Sequence, residues 1–134
     1  MMPPEIMAEF VITGINVTPD KITTAIGITP TKIWKIGDSV QNTALLRKHN
    51  GWCISTGYRQ DFDLEKYVKQ LLEMLLPKSE TITTFCRENE LNCELSCAAY
   101  VIDETPSINF SKEVVSDLAK LNASIDIDII LTTG

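Results

Sequence analysis

The sequence contains a single histidine. A zinc site built on two or three imidazoles is therefore excluded, and so is the HExxH arrangement of metalloproteases. The GxSxG nucleophile elbow and the phosphate loop ending in Gly-Lys-Ser/Thr are also missing. Four cysteines stand at 53, 86, 93 and 97, with no CxxC pair among them. Basic residues are few, with 12 Lys and Arg against 18 Asp and Glu, a net charge of −6. A protein whose surface is given over to nucleic acid normally carries a basic excess, so the balance argues against that class of partner. Attraction to an anionic membrane is disfavoured for the same reason. No stretch approaches the roughly 20 apolar residues needed to span a bilayer. Residues 1–5 show no basic segment leading into an apolar run, so no signal peptide is expected and the expected location is cytoplasmic.

What is present is a globular composition, 44% hydrophobic and 22% charged, in 134 residues. That is one ordinary domain, in which roughly two thirds of the unfolded surface becomes buried. Such a core needs neither disulfides nor metal, so the cysteines are expected as reduced core thiols and no cofactor is expected. Residues 1–7 are expected as a flexible N-terminus, and 8–131 as a single α+β domain.

Residues 8–13 alternate as a strand that ends at Gly14. Thr18-Pro19 then opens a short helix that Gly27 and Pro30 close. Segments 32–36 and 52–56 read as strands on either side of a polar loop. Asp63 is expected to cap a helix whose buried stripe is Leu64, Tyr67, Val68, Leu71, Leu72 and Leu75. Glu65 and Lys69 are spaced to pair on its wet side. From Ser79 two readings compete, a second helix or a strand favoured by Thr-Ile-Thr-Thr. Residues 91–102 alternate most strongly, with Leu91, Cys93, Leu95, Cys97, Ala99 and Val101 on one face. A short strand over 107–110 and a helix capped by Ser111, with core residues Val114, Val115, Leu118 and Leu121, follow. In 124–130, Ile125, Ile127 and Ile129 are expected inward and Asp126 and Asp128 outward. The expected fold is α+β, a single mixed or antiparallel sheet with helices mainly on one face and ferredoxin-like interleaving of two units.

Three groups of residues invite chemistry. Asp126 and Asp128 project about 7 Å apart from one strand face, a spacing compatible with paired carboxylates; alternating Asp with Ile is also simply how a strand keeps one face wet, and catalysis would further require a cleft and a shifted carboxyl. Arg47, Lys48 and His49 form the one concentrated basic patch. With Trp34 or Trp52 as a stacking surface they make a candidate anion- or nucleotide-binding edge, while either tryptophan also fits a core position. Cys93 and Cys97 share a face but lie about 13 Å apart along a strand, too far to hold one metal ion together.

The order of several short segments is similar to a known family. Phe10-x-Ile12-x-Gly14 leads to Thr18-Pro19-Asp20-x-Ile22 and Ile26-Gly27-Ile28-x-Pro30. Lys35-x-Gly37-Asp38, Trp52-x-Ile54-x-Thr56-Gly57 and Leu118-Ala119-x-Leu121-x-Ala123-x-Ile125-Asp126-Ile127-Asp128 follow. Over residues 8–130 this resembles the bacterial domain-of-unknown-function family numbered 4279, although Ile129-Ile130 stands where that family commonly has an aromatic residue. The resemblance implies a bacterial intracellular α+β domain and brings no catalytic residues with it. Small size, acidity and the lack of a catalytic signature favour a protein-binding domain, such as an immunity protein that neutralises a toxic enzyme with a basic cleft. Its contact residues are then Glu94, Tyr100, Asp126 and Asp128, expected together on an exposed sheet surface; helices on both faces would remove that surface. The partner is a basic protein or toxin, and self-association is allowed. The competing expectation is a small-ligand domain or an enzyme using the acidic strand.

Overall fold

Alternating apolar residues place Ile6, Ala8, Phe10 and Ile12 on one side of a ten-residue strand, β1 (Glu5–Gly14). The computed structural model, which describes residues 2–132, builds its sheet around this strand. On one side of β1 runs β3 (Asn50–Ser55), antiparallel, with Phe10 opposite Ile54 and Ile12 opposite Trp52. On the other runs β5 (Asn92–Val101), also antiparallel, with Phe10 opposite Leu95 and Ala8 opposite Cys97. Short β2 (Lys32–Trp34) extends the sheet beyond β3, and β6 (Ala123–Leu131) lies parallel to β5 at the opposite edge. The strand order is β2-β3-β1-β5-β6, with two-residue β4 (Arg59–Gln60) pairing with the start of β1. The fold is α+β, with a mixed sheet and helices mostly on one face.

Helices α1 (Pro19–Ile26), α2 (Leu64–Leu75), α3 (Ser79–Glu88) and α4 (Lys112–Lys120) supply the covering layer. The six-residue stripe expected on α2 is its buried set, and Asp63 caps it by accepting from the Lys66 N–H at 3.3 Å. Glu65 pairs with Lys69 at 3.3 Å. Gly27 closes α1 in the left-handed region at φ 79°, where its N–H donates to the Thr23 carbonyl. Trp52, Phe10, Leu64 and Leu95 are among the largest fully buried side chains, each worth about 1.5–3 kcal/mol or more in apolar transfer.

The sheet corrects several expectations. Residues 5–7 do not belong to a flexible N-terminus. Glu5 and Ile6 pair with both β4 and β5, Ile6 and Met7 are buried, and the Pro4 carbonyl accepts from the Asp61 N–H. Met1, the first residue of that segment, lies outside the described residues. Of the two readings from Ser79 the helix holds over 79–88, because Ile82 and Cys86 at helical spacing reach the core. Residues 107–110 form no strand; Ser107 makes an isolated bridge to Asp63 instead. Ferredoxin-like interleaving is not seen. Such units separate their parallel strands by another strand, whereas here α4 connects adjacent parallel β5 and β6, and the rest of the main sheet path is antiparallel.

Candidate functional site

The odd-numbered residues of β5 are buried under the helices, which turns Glu94, Ser96, Ala98 and Tyr100 to the uncovered side. The parallel register sets Ser96 beside Asp126, Ala98 beside Asp128 and Tyr100 beside Ile130. Glu94, Tyr100, Asp126 and Asp128 therefore lie on one sheet face. Asp126 and Asp128 are exposed, while Glu94 and Tyr100 are half-buried. Across β5, Glu9 stands opposite Ser96 and forms an ion pair with Lys32 at 3.0 Å. Among the described residues, Glu94, Asp126 and Asp128 take part in no ion pair. Tyr100 packs against Tyr58, with ring centroids 5.5 Å apart and planes tilted by 56°. Burial, then the neighbouring Tyr100 hydroxyl, push Tyr58 up to about 12.

The basic patch is dispersed. The Arg47 guanidinium lies 4.4 Å over the Trp34 ring, a cation–π contact. Its backbone N–H donates to Asp38 and its carbonyl accepts from Gly37, tying the polar loop together. Arg47 Nε is buried without a hydrogen-bond partner among the described residues. Lys48 is exposed. His49 borders a separate depression with Thr13, Asn16, Glu90 and Asn92. Trp52 cannot serve as the stacking surface of an anion-binding edge. It is wholly buried opposite Ile12, and its Nε1–H donates to Thr23 Oγ1 at 3.0 Å. Trp34 lies on the opposite side of the sheet, across Gly51 of the neighbouring strand. This stack of Gly51, Trp34 and Arg47 was not legible from spacing; its only sequence trace is a glycine inside a strand, which marks a close approach.

Asp61 and Asp63 act locally. Asp61 accepts from Lys66 Nζ at 2.6 Å, the Tyr67 hydroxyl at 2.9 Å and the Asp63 N–H at 3.0 Å. Those donors, Lys66 foremost, hold its carboxyl well below the usual range. All four cysteines are free and buried. Cys86 and Cys93 meet, their sulfurs 3.5 Å apart, because residues 89–91 turn the chain from α3 straight back into β5. Cys93 donates this hydrogen bond, which raises its own thiol and lowers that of Cys86. Burial pushes Cys53 and Cys97 up to about 12.

Residues 4–132 match the model of a Domain of unknown function, DUF4279. The chain belongs to the DUF4279 family. Neither the curated proteins nor the solved structures gave a match. In this DUF4279 domain no group of three or more His, Cys, Asp or Glu among the described residues is placed to hold a metal ion. No helix among them is long and apolar enough to cross a membrane.

Proposed function

We propose that this DUF4279 domain binds a basic protein in the bacterial cytoplasm, as an immunity protein that occludes the cationic cleft of a toxic enzyme. The observation that carries this reading is the acidic group Glu94, Asp126 and Asp128, which makes no ion pair among the described residues, on the side of the sheet that the helices leave open. Exposed like charges that are not neutralised within their own chain favour and steer an oppositely charged partner. Tyr100, half-buried beside them, adds an amphipathic aromatic of the kind enriched at interfaces.

The test is affinity capture from the native host at low and moderate salt, followed by inhibition of whatever activity the captured protein has. A stoichiometric basic partner is expected. The double variant Asp126→Lys/Asp128→Lys is expected to fold normally and to bind it at least about tenfold more weakly, with a shallower salt dependence. Unchanged affinity in that variant would remove these residues from the interface. A partner that retains full activity when saturated would refute the neutralising role.

A further inference from the structure

The two edges of the sheet are finished differently. β2 spans only three residues and presents Lys32, two common ways of making an edge unattractive to another strand. β6 spans nine, pairs with β5 through nine consecutive positions without a bulge, and contains no Pro, Gly or Lys. Thr132 N–H donates to the Val101 carbonyl. By the two-residue period, even-numbered residues of β6 turn their backbone groups to β5 and odd-numbered ones turn theirs outward. No strand among the described residues receives the outward groups of Ile125, Ile127 and Ile129. The helix layer also stops short of this edge, leaving Ile125 43%, Ile129 49% and Leu131 79% exposed.

We infer that β6 is a strand-acceptor edge whose occupant is an extended segment of the basic partner, alternating Lys or Arg with aliphatic residues. This rests on the protein-binding reading above and specifies its mode. In strand addition the open backbone groups supply affinity and the alternate side chains supply selectivity. On the open face, cationic residues two apart in the incoming strand stand beside Asp126 and Asp128. On the helix side, the aliphatic residues that flank them cover Ile125 and Ile129. Charge selects against a second copy in the centred register. Antiparallel pairing of two β6 strands about Ile127 sets Asp126 of each copy opposite Asp128 of the other, and like charges directly opposite one another are destabilising. The carboxylates that repel self-pairing are those that attract a cationic strand.

The experiment uses the full chain and a labelled nine-residue peptide alternating lysine and valine. Fluorescence anisotropy measures binding, and hydrogen exchange follows the amides of Ile125, Ile127 and Ile129. Binding with protection of those amides is expected. An isomer with its lysines and valines in separate blocks should bind at least tenfold more weakly. Two further peptides, methylated on the backbone nitrogens of either the valines or the lysines, separate strand pairing from charge attraction. Only one set of nitrogens faces β6, so one methylated peptide should lose at least tenfold and the other should not. Equal binding by both, or binding without protection in β6, overturns strand addition. So does sedimentation of the chain alone as a dimer whose interface protects the same amides. A native partner that is sensitive to Asp126→Lys/Asp128→Lys yet leaves the β6 amides unprotected overturns strand addition while the acidic-face reading stands. A native partner insensitive to those charge reversals overturns the acidic-face reading itself.

Discussion

Gly51→Ala tests the packing of the open face most directly. Trp34 and Gly51 are opposed in the β2–β3 pair, and a Cβ on Gly51 would overlap Cε2, Cζ2 and Cδ2 of the indole. Gly51 is not among the residues with positive φ, so its requirement is for space rather than for backbone freedom. The added methyl has to lift the indole, and the indole carries the Arg47 guanidinium 4.4 Å from its centre. Overpacking of this kind costs about 1–3 kcal/mol, and a partly exposed cation–π contact adds about 0.5–1 kcal/mol. The sum is about 1.5–4 kcal/mol. At about 3–6 °C per kcal/mol for a chain of this length, the central expectation is a fall in Tm of about 10 °C. Urea unfolding followed by far-UV circular dichroism measures the stability without relying on Trp34 as the reporter. In a Trp34→Ala background the methyl meets no ring, and the same substitution should cost less than about 0.5 kcal/mol, since alanine is otherwise easier to order than glycine. The cycle should thus return a coupling of roughly 1–4 kcal/mol. Equal costs in the two backgrounds would refute the steric account and place the role of Gly51 in its backbone.

Three further outcomes follow from named contacts. The folded-state carboxyl of Asp61 lies below its ordinary value because Lys66, the Asp63 N–H and Tyr67 donate to it. Its stabilisation is therefore complete above the ordinary aspartate range and is lost as pH falls below about 4 towards the lowered folded value. Acid unfolding of Asp61→Asn should show less of this loss and lower stability at pH 7; an unchanged stability–pH curve would contradict the assignment. Cys53 and Cys97, pushed up to about 12 by burial, should resist a thiolate-seeking reagent at pH 8 in the folded protein and react on unfolding; rapid native labelling mapped to either residue by mass spectrometry would overturn that. Ser111 caps α4 by accepting from the Val114 N–H at 3.3 Å, as Asp63 caps α2. Ser111→Ala and Asp63→Ala should each cost about 1 kcal/mol in urea unfolding, and a loss below about 0.3 kcal/mol would mean that neither cap holds its helix end.

Elements whose period and punctuation agree were readable from the chain. On α2 the cap, the stripe and the terminating proline point the same way, and its buried residues are the expected six. Burial at the margins was not readable, because period records which side a residue faces and not whether anything covers that side. Val115, expected in the core of α4, is 51% exposed, and Ile125 and Ile129 are open for the same reason. Ile6 and Met7 were missed because their partners lie about 50 and 90 residues further along the chain, in β4 and β5. Trp34 and Trp52 have similar local patterns and opposite fates. Register alone separates them, setting Trp52 against Ile12 inside and Trp34 against Gly51 outside.

The candidate site was legible where it depends only on parity. Glu94 and Tyr100 share a face because they stand an even number of positions apart in one unbulged strand, and so do Asp126 and Asp128. Whether the two pairs share a face depends on β5 and β6 being side by side and in register, which no local pattern records. A slip of one residue in β6 would turn both carboxylates toward the helices and the isoleucines outward. The observed register avoids that burial by setting Leu95 beside Ile125 and Cys97 beside Ile127 on the helix side. The same pairing that half-buries Ile127 thus fixes the carboxylates on the open face. It also leaves Ile125 and Ile129 uncovered, since no helix among the described residues reaches across the last strand. The acidic face and the aliphatic edge are two consequences of one register, so a partner that reads both must approach β6 from the side.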